Sequence, residues 1–224
     1  GAGDVNGDGY PDFVVGAPAG LHDGIDTGLA IVYSGADAAV LHTFYGRISS
    51  DGFGAAVAGA GDVNGDGYAD VVIGAPWAPA GGPVQVFSGV DGTVLHTLVD
   101  DAPGGRFGWA VAGAGDVDAD GRDDLVVGDL AHHPGGRASV FSGRDGAVLF
   151  AVDGDAAGDL FGVAVAGAGD LNADGYADVI VGASGVDTDV LDAGRVEVFA
   201  GGTHADVTPP ALVCPADPIV EATG

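Results

Sequence analysis

The sequence predicts an all-β fold: a β-propeller of four-stranded antiparallel blades, with about four blades present. Three observations predict it. A nine-residue acidic loop occurs four times at nearly constant spacing, a short β-branched run ending in glycine follows each loop, and glycine (44 of 224 residues) shows no three-residue period. A chain of this length with 47% apolar residues can bury a sizeable core. Glycine without a collagen period belongs to turns between strands.

The loop opens at Asp4, Asp62, Asp116 and Asp170, starts that differ by 58, 54 and 54 residues. Its first copy reads Asp4-Val-Asn-Gly-Asp-Gly-Tyr-Pro-Asp12. A Phe-Gly pair precedes the other three by nine residues, at Phe53-Gly54, Phe107-Gly108 and Phe161-Gly162. The strand after it, such as Phe53 to Ala58, is made of small residues apart from its Phe, as the innermost strand of a blade requires where neighbours converge on the axis. The second strand is the run after the loop, ending at Gly16, Gly74, Gly128 and Gly182. A third ends at Gly35, Gly89, Gly143 and Gly201, and a fourth reads Ala39 to Phe44, Thr93 to Leu98 and Ala147 to Val152. The competing solenoid, a parallel β-helix, has coils shorter than this repeat.

The units divide as a partial blade 1 at residues 1–51, blade 2 at 52–105, blade 3 at 106–159 and blade 4 at 160–202. Residues 203–224, centred on Thr208-Pro-Pro-Ala-Leu-Val-Cys-Pro-Ala-Asp217, read as an extended linker into a further domain. Gly1 opens inside a repeat, so the natural N-terminus is expected upstream, and the four units are expected to form an open arc.

In each nine-residue loop, positions one, three, five and nine carry side-chain oxygens and position seven offers its backbone carbonyl. Calcium takes six to eight hard oxygen ligands, and a tight turn presents alternate residues to one centre. Glycine at position six, Gly9, Gly67, Gly121 and Gly175, permits that turn. The expected ligand sets are Asp4, Asn6, Asp8, Tyr10 and Asp12, followed by Asp62, Asn64, Asp66, Tyr68 and Asp70. The third is Asp116, Asp118, Asp120, Arg122 and Asp124, and the fourth Asp170, Asn172, Asp174, Tyr176 and Asp178. About four calcium ions are expected. A metal-free Asp-Gly turn is the alternative, but it would gather three or four carboxylates without a cation to offset their repulsion. The first six positions share the EF-hand pattern, yet no Glu stands at position twelve, so a β-hairpin is the better home.

The formal charge of −27 is carried almost wholly by aspartate, since Glu197 and Glu221 are the only glutamates among 33 acidic residues. Aspartates outside the loops read as acidity kept for solubility. The six basic residues are scattered arginines, which excludes a nucleic-acid footprint and attraction to an anionic membrane. Gly and Asp interrupt every apolar stretch, so no membrane span is expected in this segment. Alanine, glycine, valine and arginine without lysine match a GC-rich bacterial genome.

Phe-Gly, the acidic loop and Gly-Ala-Pro at 16–18 and 74–76 together resemble FG-GAP repeats, the blades of integrin α-subunit propellers. The resemblance covers about residues 1–202. The third and fourth copies depart from it as Gly128-Asp-Leu and Gly182-Ala-Ser. Because that family's propellers usually have seven blades, the resemblance implies that this chain is part of a seven-bladed propeller. The C-terminal segment resembles the opening of a hyalin-repeat domain, which implies that Cys214 belongs to the next domain.

From the glycine ending strand two to that ending strand three there are 19, 15, 15 and 19 residues, whereas the distance from there to the next loop is always 27. Variation on a fixed scaffold is the ordinary place for specificity. Antiparallel strands put these variable loops on the rim opposite the acidic loops. The residues expected to meet a ligand there are Trp77, Asp23, Asp26, Asp187, Asp189 and Asp192. His132-His133 lies on the same rim and could touch a transition metal. His42 and His96 occupy equivalent strand positions and read as strand decoration, and Trp109 as packing.

The functional expectation is a calcium-binding extracellular module, secreted or at the cell surface, for adhesion or recognition of a protein or carbohydrate ligand within a larger protein. The alternative is a carbohydrate-binding lectin or the non-catalytic part of a polysaccharide-active enzyme. The chain itself is not expected to be an enzyme: it has no nucleophile elbow, phosphate loop or zinc-protease helix.

Overall fold

The β-branched runs form strands and the glycines turn them. A computed structural model describes residues 1–78, 82–100, 105–186 and 193–202, and every regular element among these is a strand. The elements are β1 (Phe13–Ala17), β2 (Leu21–His22), β3 (Ile25–Asp26), β4 (Leu29–Tyr33), β5 (Val40–Tyr45), β6 (Ala56–Gly61), β7 (Asp70–Gly74) and β8 (Val84–Phe87). They continue as β9 (Val94–Leu98), β10 (Phe107–Gly115), β11 (Asp124–Asp129), β12 (Arg137–Phe141), β13 (Val148–Asp153), β14 (Phe161–Gly169), β15 (Asp178–Ala183) and β16 (Arg195–Phe199).

These pair as two complete antiparallel blades, β6-β7-β8-β9 and β10-β11-β12-β13, with β1-β4-β5 before them and β14-β15-β16 after. The inner strand of the second blade is Ala56–Gly61 rather than Phe53 to Ala58: Phe53-Gly54 stands in a turn there, whereas Phe107-Gly108 and Phe161-Gly162, whose glycines have nearly the same φ, open β10 and β14. Thr203 to Gly224 lie outside the described residues.

The core lies between blades rather than within them. Strand two of each of the two complete blades is sandwiched by both neighbours, so it is apolar throughout instead of alternating: Val71, Val72 and Ile73 are all fully buried. One cluster joins the first two blades through Val32, Phe44, Phe53, Ile73 and Phe87. A second joins blades two and three through Val84, Leu98, Phe107, Leu125 and Phe141, and a third joins blades three and four through Val140, Phe161, Val179 and Phe199. The Phe of each Phe-Gly pair meets the Phe of its own third strand edge to face, Phe107 on Phe141 at 5.8 Å and Phe161 on Phe199 at 6.1 Å.

The glycine of the Phe-Gly pair and the glycine closing strand two serve one contact. A Cβ on Gly16, Gly74 or Gly128 would strike the carbonyl of Gly54, Gly108 or Gly162 in the following blade. Among the described residues Gly182 has only Ala164 nearby, at 3.7 Å. The outer face of strand two is uncovered at the first blade. Phe13 and Val15 are 40% and 48% exposed, while their equivalents Val71 and Ile73 are at 0%.

Candidate metal centres

Each acidic loop is a chain of side-chain-to-backbone hydrogen bonds. In the second copy, Asp62 Oδ1 accepts the Asp66 N–H at 2.9 Å and Asp62 Oδ2 the Gly67 N–H at 2.9 Å. Asn64 Oδ1 accepts the Asp66 N–H, and Asp66 Oδ1 the Tyr68 N–H. The other copies repeat this network, from Asp4 to Gly9, from Asp116 to Gly121 and from Asp170 to Gly175. Position six sits at φ between +86° and +94° in all four, which bears out the need for glycine there. Position four is also left-handed. Gly7 and Gly65 adopt it freely, whereas Ala119 (φ 59°) and Ala173 (φ 60°) bear a steric cost.

Position nine has a structural task that spacing alone did not disclose. Asp12, Asp70, Asp124 and Asp178 are nearly or fully buried at the start of strand two. One oxygen accepts the N–H of position two (Val5, Val63, Val117 and Leu171, at 2.7–2.9 Å). The other accepts the N–H of the glycine closing strand three (Gly35, Gly89, Gly143 and Gly201, at 2.8–3.1 Å). The carboxylate therefore ties the loop to the turn between strands three and four. Burial pushes the Asp70 and Asp124 carboxyls up to about 6 against the lowering effect of those N–H donors.

The loops are joined to one another around the rim. The N–H of position eight donates to the carbonyl of position one in the preceding loop: Ala69 to Asp4 at 3.0 Å, Asp123 to Asp62 at 3.2 Å and Ala177 to Asp116 at 2.9 Å. At position seven, the Arg122 guanidinium donates to the Asn64 carbonyl at 2.5 Å, and the Tyr68 ring lies where a Cβ on Gly7 would be.

The third loop differs in charge. In the others an Asn amide at position three donates to the position-five carboxylate, at 2.7–3.0 Å. With Asp118 there instead, ligand oxygens of Asp116, Asp118 and Asp120 all lie within 4.8 Å of one another. Burial, then Asp120 and Asp116, raises the Asp118 pKa. Three carboxylates so gathered are suited to a divalent cation with oxygen preference. Three aspartates outside the loops do more than add surface acidity. Asp37, Asp91 and Asp145 each accept an N–H two residues on, closing the turn between strands three and four.

On the opposite rim the structure brings some expected residues together. The expansion between strands two and three of the first blade folds into the β2-β3 hairpin, whose turn residues Asp23 (φ 51°) and Gly24 (φ 78°) are both left-handed. Its Asp-Gly between Leu21-His22 and Ile25-Asp26 was a legible hairpin signal. Asp26 faces the buried Asp51, whose pKa is raised by burial foremost and by Asp26 in smaller part. Trp77 donates its N–H to the Asp51 carbonyl at 2.8 Å and lays its half-exposed ring over Gly52. Asp26 and Trp77 thus flank one segment, while Asp23 stands at the hairpin tip. Asp187, Asp189 and Asp192 lie outside the described residues.

His42 and His96 are inter-blade ties, their Nε2 atoms 2.6 Å from the carbonyls of Gly89 and Gly143. Trp109 carries the Arg106 guanidinium over its ring at 5.3 Å.

Comparison with known proteins places the repeats. The FG-GAP repeat family matches residues 1–33, 53–90, 107–141 and 161–199. Integrin alpha-5 of Xenopus laevis is 32% identical over 223 residues, covering 90% of this chain and 21% of that protein. Integrin alpha-V of Gallus gallus is 33% identical over 220 residues, covering 84% and 20%. The chain thus spans about a fifth of the length of these curated relatives. Among solved structures, the exotype rhamnogalacturonan lyase YesX superposes with a TM-score of 0.52 at 16% identity, over 90% of this chain and 39% of that one, a likeness of fold alone.

Proposed function

The chain belongs to the FG-GAP repeat family, and from that premise we propose that it is a calcium-stabilised propeller segment of a secreted or cell-surface protein that recognises a protein or carbohydrate partner. The observation that carries the metal part is the gathering of Asp116, Asp118 and Asp120 in the third loop, in a backbone frame the other three loops repeat. Each loop takes one calcium through positions one, three and five, the carbonyl of position seven and a remaining lone pair of the position-nine carboxylate. Loop-to-loop hydrogen bonds make the four sites one rim, so the ions stiffen the junctions between blades.

The partner is met on the other rim, where the β2-β3 hairpin, Asp26 and Trp77 stand clear of the metal loops and where Asp187, Asp189 and Asp192 fall in the second long loop. The blades keep the boundaries 1–51, 52–105, 106–159 and 160–202, with 203–224 leading into a further domain.

Titration calorimetry tests the metal part: uptake of about four calcium ions is expected, with melting lowered by chelator. No uptake, with melting indifferent to chelator, sinks it. For the partner, screening against matrix proteins and glycans with Trp77→Ala and Asp23→Asn should show binding weakened while calcium uptake is unchanged. Binding lost only through the acidic-loop substitutions would move the site to the other rim.

A further inference from the structure

Blade three breaks the repeat at one buried place. Where blades two and four bury Ala75 and Ala183 after the glycine of strand two, blade three buries Asp129, 1% exposed. Two residues before the Phe of the Phe-Gly pair, the same blade has Gly105 where its neighbours have Asp51 and Asp159. The two changes are complementary, since a Cβ on Gly105 would collide with the Asp129 carboxylate. Asp129 Oδ1 accepts the N–H groups of Arg106 (2.5 Å) and Ala131 (3.1 Å), and Oδ2 has no hydrogen-bond partner.

That oxygen faces His132. His132 Nδ1 lies 3.9 Å from Asp129 Oδ2 and 3.4 Å from Asp100 Oδ2, and it too lacks a hydrogen-bond partner. The side chains of Asp100 and His132 are 8% and 10% exposed. One ligand atom from each of the three lies within 4.8 Å of the others. On the far side of the ring, His132 Nε2 is 4.0 Å from Asp153 Oδ1, which Arg137 holds through an Nε–H donor at 2.6 Å.

We propose that Asp100, Asp129 and His132 form a binding site for a divalent transition ion of the zinc type, distinct from the calcium loops and on the opposite rim. An imidazole nitrogen with two carboxylate oxygens is a zinc-like donor set. Tetrahedral bonds of about 2.0–2.2 Å put neighbouring ligand atoms roughly 3.2–3.6 Å apart, close to the 3.4 and 3.9 Å that separate His132 Nδ1 from the two carboxylate oxygens. Asp153 lies behind the ring at 4.0 Å, where a small closure to hydrogen-bond distance on metal binding would let it orient the imidazole, as carboxylates commonly do for metal-bound histidine. Asp100 comes from the connection after strand four of blade two, and Asp129 and His132 from blade three, so the ion would pin two blades together. Three protein donors leave a fourth position for water or for a donor from a partner on this rim.

Zinc titration of the full chain, with calcium held at saturation to occupy the acidic loops, is the test. One zinc is expected. Asp129→Asn, which keeps the Oδ1 acceptor for the two N–H groups, and His132→Gln should each weaken binding at least about 100-fold, and Asp153→Asn roughly 10-fold. X-ray absorption of the wild-type complex should show a nitrogen and oxygen shell with a single imidazole, a readout that does not depend on the variants folding. If His132 is merely an imidazolium paired with two carboxylates, the wild type takes up no zinc and the proposal falls. It falls equally if both variants bind zinc undiminished, or if the absorption spectrum shows sulfur or several imidazoles.

Discussion

The rim of acidic loops repeats its side chains, whereas the opposite rim repeats only its backbone. On the first, four copies of position nine make the same two hydrogen bonds, and each loop after the first donates to the one before it. On the second, equivalent positions carry Ala75, Asp129 and Ala183, and one loop has become a hairpin. Side chains that close the loops and join the blades are constrained at every repeat. The opposite rim closes its strands by main-chain contacts between glycines, which leaves its side chains free to differ.

If that contrast is right, charge and metal should govern stability through the acidic rim. A carboxyl whose folded pKa lies above its unfolded value costs stability when ionised. Asp70 and Asp124 should therefore make the metal-free chain less stable as pH rises from about 4 through about 6. The loss should be on the order of 2–3 kcal/mol for each carboxylate. Bound calcium should offset it, so the melting shift on adding calcium should be larger at pH 7 than at pH 5. An equal shift at both would break the comparison. At about 1 mM calcium and a Kd of about 10⁻⁴ M, the ion should add about 1.4 kcal/mol per site.

Next in size is Asp124→Ala, which leaves the N–H groups of Val117 and Gly143 buried without an acceptor. At about 1–3 kcal/mol for each orphaned group, denaturant unfolding should show a loss of roughly 2–6 kcal/mol, present even in chelator. A loss seen only with calcium present would mean that position nine acts through the metal alone. A smaller effect of opposite sign is expected from Ala119→Gly and Ala173→Gly. Relieving a left-handed alanine should raise stability by about 1 kcal/mol each, read as a higher melting temperature with calcium uptake intact. Least of all, Asp23→Asn on the opposite rim keeps the turn chemistry and removes an exposed charge. It should change unfolding free energy by less than about 0.5 kcal/mol; a larger loss would show that the hairpin is structural.

The repeat was legible because its signals are local. Phe-Gly, the acidic loop and the glycine-ended runs each recur at fixed spacing, and the observed blades follow them, apart from the inner strand of blade two, which begins at Ala56 rather than at Phe53. The hairpin at Leu21–Asp26 is as local, its Asp23-Gly24 turn lying within a stretch whose length varies between blades. Position nine has the spacing of a metal ligand, yet its partner glycine lies 19 or 23 residues away and nothing in the motif announces it.

By itself, the sequence determined the all-β class, the number and order of blades, the glycine at position six of each loop and the side-chain donors available to a cation. These follow from period, turn chemistry and residue type, which act over a few neighbouring residues. Only the tertiary structure decided which donors share a space. Asp100 and Asp129 are 29 positions apart in different units, and the pairing of Gly105 with Asp129 is a steric fit across a blade junction. Contacts of this kind depend on how blades stack, and stacking is set by many small packing contacts at once, so no short stretch of sequence records them.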